Sequence, residues 1–181
     1  YEEYLEENGI PMPDDLSDVV KIAAGQGHIV ALKSDGTVVA WGANYQAECD
    51  IPESTKDIID IAAGYDNTIG VKSDGTLVVW GNITDKFGTY DSSNILEGIS
   101  NIKAVSTYGQ YAIALNYDNE LIGLGSVPSY MPEDSVPYHP LNIPKFLTDK
   151  MDPSFVNIKS FSAGSDHAVA LTDEGEIVVW G

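Results

Sequence analysis

The chain lacks arginine entirely, and its only cations are nine lysines against 28 acidic residues, for a net charge of −19. Nucleic-acid binders neutralise phosphates with Lys and Arg, and Arg is the favoured reader of base edges. Such a charge balance argues against nucleic acid and against an anionic membrane surface as partner. A single cysteine, Cys49, excludes an internal disulfide, and with three histidines it leaves no zinc-type spacing. No apolar run is long enough to span a bilayer as a helix, and no basic-then-apolar leader opens the chain. GxSxG, HExxH, GxxxxGK[ST] and DxDxDG patterns are all missing, so no nucleophile elbow, metalloprotease helix, phosphate loop or calcium loop is expected. Neither cofactor nor metal is anticipated. Residue 1 is Tyr, which suggests a processed product or an excised piece and leaves a secreted or cell-surface origin open.

What the chain does have is one phrase written four times. Residues 22–42 read IAAGQGHIVALKSDGTVVAWG, and 61–81 read IAAGYDNTIGVKSDGTLVVWG. Residues 105–125 read VSTYGQYAIALNYDNELIGLG, and 161–181 read FSAGSDHAVALTDEGEIVVWG. The copies align without a gap, and their starts lie 39, 44 and 56 residues apart. Repetition at this period predicts a stack of like units that together make one repeat domain spanning 1–181. It also lowers the odds that a repeated residue is catalytic, because a residue needed by every copy serves the fold.

Within a copy, two short runs rich in β-branched residues flank Ser34-Asp35-Gly36, which predicts a hairpin with Gly at the positive-φ position. Ser73-Asp74-Gly75, Tyr117-Asp118-Asn119 and Asp173-Glu174-Gly175 keep the same turn chemistry. A further short strand precedes each hairpin: VVKIAA, IIDIAA, IKAVS and IKSFSA. Gly25, Gly64 and Gly164 follow it in one column, where close backbone approach is expected; Tyr108 breaks the column. Trp41, Trp80 and Trp180 close three hairpins and Leu124 the other, a column best read as core between neighbouring sheets. Three or four short strands per unit predict an all-β fold of β-propeller blades. Four blades could belong to a longer propeller, pair with another copy or close on themselves; because open sheet edges invite pairing, a partial or open propeller, closed by self-association or by further repeats, is expected over a closed four-bladed monomer.

The phrase IAAGxxHxxAL-SDGTVVAWG, with Asn44 and Ile51-Pro52 in the linker and Ile10-Pro11 before the first copy, resembles the regulator-of-chromosome-condensation repeat family. The resemblance covers most of 10–82 and 102–125, plus 156–181, and the 39-residue spacing is similar to that of bacterial members. It implies a β-propeller, usually of seven blades. Family activities range from exchange on a small GTPase and chromatin binding to β-lactamase inhibition. Exchange and chromatin binding do not carry over by residue, because the chain is acidic, lacks Arg and has no segment that matches an exchange wedge.

His28 and His167 share a column with Asn67 and Tyr111. Asn and Tyr replace His poorly as transition-metal ligands, so the column is read as structural hydrogen bonding within the blade. Asp35 and Asp74 are explained by their turns. Function is expected where the copies disagree. Residues 126–150 carry five prolines with Tyr130, Tyr138 and Phe146, and the smaller variable segment 82–98 carries Phe87 and Tyr90. Proline limits the ordering cost of binding, and Tyr favours interfaces, so these five aromatics are the candidate partner-binding residues; the competing reading is that the rings pack back on the blade. YEEYLEEN at the N-terminus suggests a short capping helix. The expected function is a non-enzymatic scaffold for protein–protein interaction through variable loops. The alternatives are an enzyme inhibitor of the β-lactamase-inhibitor type or a surface-display module of a longer secreted protein.

Overall fold

Each copy of the repeated phrase folds as one small antiparallel sheet in the computed structural model, which describes residues 9–82, 96, 98–109, 111–125, 142–149, 151–152 and 154–181. The N-terminal helix suggested for residues 1–8 lies outside these. Blade 1 contains β1 (Gly9–Ile10), β2 (Val19–Ala24), β3 (His28–Lys33) and β4 (Val38–Ala43) in the order β1-β4-β3-β2. Blade 2 contains β5 (Ile58–Ala63), β6 (Asn67–Lys72) and β7 (Leu77–Gly81). Blade 3 contains β8 (Ile102–Tyr108), β9 (Tyr111–Asn116) and β10 (Leu121–Gly125), and blade 4 contains β11 (Ile158–Ala163), β12 (Ala168–Thr172) and β13 (Ile177–Trp180). This is an all-β array of propeller blades, as the repeats predict.

The hairpin turns form for the reason their residues suggest. Gly36 takes φ of 82° and its N–H donates to the Lys33 carbonyl at 3.0 Å, while Lys33 N–H donates to Thr37 O at 2.9 Å. The Asp35 carboxylate accepts from both the backbone N–H and the hydroxyl of Thr37, at 3.0 and 2.6 Å. Blade 2 repeats this with Gly75, Asp74 and Thr76. In blade 3 the left-handed position is held by Asn119 at φ of 72°, the best non-glycine choice there. These bonds hold the Asp35 and Asp74 carboxyls below the usual carboxylate range, chiefly through the threonine hydroxyls. Each inner strand also carries an irregularity in the same place, between Val19 and Lys21, Ile58 and Asp60, Ile102 and Ala104, and Ile158 and Ser160. One extra residue per blade therefore recurs as a feature of the unit.

The core lies between blades. Val30, Leu32 and Ala40 of blade 1 pack on Ile58, Ile61, Val78 and Trp80 of blade 2. Ile69, Val71 and Leu77 of blade 2 meet Val105, Ala112 and Leu124 of blade 3. Ile113, Leu115 and Leu121 of blade 3 meet Ile158, Ala168 and Trp180 of blade 4. Every inner blade buries both faces, so its strands read as nearly continuous apolar runs. The tryptophan column always faces the preceding blade: Trp80, Leu124 and Trp180 are buried, whereas Trp41, with no described blade before it, is half-buried.

Candidate functional site

At one end of the blades the inner strands β2, β5, β8 and β11 converge on a cleft of about 500 Å³. Its walls are small residues, Ala24, Gly25, Ala63, Gly64, Thr107 and Ala163, so the backbones themselves form the surface. Two aromatic rings stand among them. Tyr65 and Tyr108 meet edge-to-face with centroids 5.0 Å apart, and their hydroxyls are hydrogen-bonded at 2.8 Å. Tyr65 is exposed and Tyr108 partly so, which leaves apolar ring surface beside hydroxyl and backbone polar groups. That combination suits a protein surface better than a charged small molecule.

The polar column predicted to be structural holds this end together, with different partners from those expected. The column's bonds run from blade to blade, although Asn67 Nδ2 also donates to Asn82 O at the end of its own blade at 3.3 Å. His28 Nε2 hydrogen-bonds Thr68 Oγ1 at 2.9 Å, Asn67 Nδ2 donates to Gly109 O at 2.7 Å, and the Tyr111 hydroxyl donates to Gly164 O. Backbone bonds reinforce them, from Gln26 N–H to Gly64 O at 3.1 Å and from Tyr65 N–H to Gly109 O at 3.3 Å. His167, at the end of the array, is exposed. Glycine is required beneath this column: a Cβ on Gly25 would collide with His28 Cε1 and lie 2.5 Å from Gly64 O. A Cβ on Gly64 would lie 2.6 Å from Asn67 Oδ1 and 2.7 Å from Gly109 O.

Electrostatics fit support rather than chemistry. Burial pulls the His28 imidazole below its ordinary value of 6.5, against the opposing charges of Glu48 and Asp66. Burial, then Asp166, pushes the Tyr111 phenol well above its normal range. The Cys49 thiol is pushed up to about 11 by burial and by Glu48 and Asp50, and it donates to Ala43 O at 3.3 Å. Glu48, read from sequence only as part of a linker, is fully buried, and its carbonyl accepts the Trp80 indole N–H at 2.9 Å. Among the described residues no three His, Cys, Asp or Glu side chains form a group that could hold a metal ion.

Of the five candidate partner-binding aromatics, Phe87, Tyr90, Tyr130 and Tyr138 lie outside the described residues. Phe146 sits in a short 3-10 helix, Lys145–Leu147, where it is partly buried against the core between blades 3 and 4 and Leu147 is fully buried. The Tyr65–Tyr108 pair was missed by sequence reasoning. Its members lie 43 residues apart and in different columns of the repeat. The signal available was Tyr108 itself, the one large residue in a glycine column. The variable segments leave from the cleft end of the blades: Gly81 registers with Asn67, and Gly125 with Tyr111.

Comparison with known proteins follows the same outline. The Regulator of chromosome condensation (RCC1) repeat matches residues 19–47, 58–86 and 158–181, and leaves out the third copy. No curated protein sequence is significantly similar. Among solved structures, human WBSCR16 superposes with a TM-score of 0.64 at 21% identity, covering 94% of this chain and 49% of that one. Yeast RCC1 (Prp20), in its complex with Kap60, gives 0.62 at 21% identity, with 95% and 45% covered. The CRINKLY WD40 ectodomain of the Arabidopsis thaliana receptor kinase ACR4 gives 0.59 at 20% identity, with 90% and 50% covered. Three of the four copies thus match the RCC1 repeat, the chain has the fold of propeller blades, and it spans about half the length of the structures it matches.

Proposed function

We propose that this chain is a non-enzymatic scaffold that binds a protein partner at the cleft end of its blades. The observation that carries the reading is the Tyr65–Tyr108 pair, two accessible rings with paired hydroxyls set in a wall of small residues. Rigid aromatics lose little conformational entropy on binding and are favoured as interface anchors. The fold comparison supports the class of partner, since yeast RCC1 (Prp20), of the same fold, was solved bound to another protein, Kap60. The titratable groups support the absence of enzymatic work: His28 is spent on Thr68, Asp35 and Asp74 on their turns, and Cys49 is a buried thiol with a raised pKa.

In the same reading Phe87, Tyr90, Tyr130 and Tyr138 add contacts from the variable segments, because those segments depart from the same end as the cleft. Phe146 anchors the second segment to the core between blades 3 and 4. The test is affinity purification of the partner through the wild-type chain, followed by binding titrations with Tyr65→Ala, Tyr108→Ala and a deletion of 128–140. Loss of at least about tenfold in affinity for each tyrosine variant is expected, as for an interface anchor, with thermal stability nearly unchanged for the exposed Tyr65 and lowered for Tyr108, whose ring also packs on the core between blades 3 and 4. Full affinity in both tyrosine variants would move the site elsewhere.

A further inference from the structure

One side chain already shows how these blades hold an acid between their inner strands. Asp60, in β5, is buried, and its two carboxylate oxygens serve two other blades. Oδ1 takes the ammonium of Lys21 from blade 1, and Oδ2 accepts the Val105 N–H of blade 3 at 2.9 Å. A lysine on one side and an inner-strand N–H on the other thus fix a single carboxylate.

The next seam has the holders without the acid. Lys21, Asp60, Ala104 and Ser160 share one column of the repeat, and Val105 shares another with Phe161. Between blades 3 and 4, Ala104 therefore stands where Asp60 stands between blades 2 and 3, and its methyl group offers the Phe161 N–H no acceptor. Cations are present instead. Lys103 and Lys159 are the extra residues at the strand irregularities of blades 3 and 4, between Ile102 and Ala104 and between Ile158 and Ser160. Such a bulge re-aims its side chain relative to the strand's alternation. The same place holds Val20 and Ile59 on blades 1 and 2, so the two ammonium groups belong to this seam alone among the four blades.

These residues line a pocket of about 310 Å³ at the end of the inner strands opposite the cleft. Three of the chain's nine lysines, Lys21, Lys103 and Lys159, meet there with one carboxylate, Asp60. Lys21 is spent on Asp60. Lys103 Nζ donates to Asn119 Oδ1 at 2.9 Å, which leaves it two further donors. Among the described residues neither Lys103 nor Lys159 pairs with a carboxylate. The remaining wall is largely apolar, with Ile59, Leu115 and Phe161 beside the lysines. In a chain of net charge −19 this is a local reversal of sign.

We propose that this pocket binds the carboxylate of a ligand with a short apolar body, and that the carboxylate takes the place that Asp60 fills at the neighbouring seam. Its oxygens accept from Lys103, from Lys159 and from the Phe161 N–H, and the apolar body lies against Ile59 and Leu115. Bare phosphate carries the charge but has nothing to set against that wall. The volume suits a small molecule, and it equally suits one acidic side chain of a peptide, which brings the same chemistry. Every group that holds the carboxylate comes from the inner strands of blades 3 and 4, across a seam that is complete in this structure. The site is separate from the Tyr65–Tyr108 cleft and does not rest on the function proposed for it.

The test titrates the chain with hexanoate, hexylammonium and inorganic phosphate, and follows backbone amide shifts by NMR. Salt is held at about 0.15 M, where the overall charge is screened beyond about 8 Å. Saturable shifts at Phe161 and its neighbours are expected with hexanoate and not with hexylammonium. Ala104→Asp supplies the missing acid from the chain itself and is expected to abolish hexanoate binding. Lys159→Gln, at an exposed position, is expected to weaken it at least about tenfold, as for a lost hydrogen bond to a charged group. Lys33→Gln, outside the pocket, is expected to leave it unchanged.

A capped leucyl-glutamate dipeptide separates the two sources of the carboxylate. Tighter binding than hexanoate assigns the pocket to an acidic protein segment, and weaker binding assigns it to a free carboxylate. No saturable shift with either probe, phosphate binding as tight as that of hexanoate, or hexanoate binding retained in Ala104→Asp overturns the proposal. Lys103→Gln with Lys159→Gln makes the same test without adding a charge at the seam, and full affinity there overturns it as well.

Discussion

His28 shows how a residue that resembles a ligand becomes a joint. Its ring is buried between blades 1 and 2, bonded to Thr68, with Glu48 and Asp66 nearby. Because burial lowers its folded pKa, the unfolded chain takes up the proton first. The stability tied to neutral His28 is fully present above 6.5 and is lost as pH falls below that value toward the folded pKa. Urea midpoints measured between about pH 7.5 and 5.5 should fall more steeply in the wild type than in His28→Gln, which has no proton to gain there. Equal slopes would mean the ring is solvated. Gly64 tests the same joint from the other side. A Cβ there would meet a backbone carbonyl that cannot swing away, so Gly64→Ala should cost about 1–3 kcal/mol in chemical denaturation, the usual range for overpacking.

At the scale of the element, the hairpin and its closing tryptophan explain most of the repeated phrase. The turns were legible because their causes are local: a carboxylate two residues from its donor, and Gly or Asn where φ is positive. The tryptophan column was legible as core because one large apolar residue recurs per unit. The joints were not legible in the same way. His28 and Thr68 are 40 residues apart, and which hydroxyl or carbonyl each column residue reaches depends on how one sheet leans on the next. The Tyr65–Tyr108 pair was hidden for the same reason, and by the one-residue displacement that makes Gly109 in blade 3 the acceptor that Gly64 is in blade 2. Position in the array sets the energetic weight of each tryptophan. Trp80→Ala should cost about 3–5 kcal/mol, as for a buried aromatic. Trp41→Ala, at a half-buried position, should cost less than half of that in the same denaturation experiment.

On the scale of the whole molecule, an acidic surface and a chain of pairwise interfaces dominate. A net charge of −19 on 181 residues opposes compaction through self-repulsion. Raising NaCl from about 0.01 to 0.15 M shortens the Debye length from about 30 to 8 Å and should raise the melting temperature by several degrees; a fall would mean that attractive pairs such as Lys21–Asp60 outweigh the repulsion. Blades touch mainly their sequence neighbours, 1 with 2, 2 with 3, and 3 with 4. Stability in such an array is close to a sum of unit and neighbour terms, and each of the three described boundaries contributes its own buried core.

The bonds that Gln26, Asn67 and Tyr111 send across the blade boundaries all point one way. Each donates forward along the chain, and a glycine carbonyl in the next blade receives it. At the opposite end of the blades the direction reverses, with Ile58 and Ile102 N–H donating back to Gly36 O and Gly75 O, so each seam is sewn from both sides and a unit that carries both sets can be spliced between two others. A gene that duplicates one such segment adds a plank to the structure without redrawing its neighbours. The uneven spacing of 39, 44 and 56 residues then marks where insertions were tolerated, at the ends of the planks rather than in the seams.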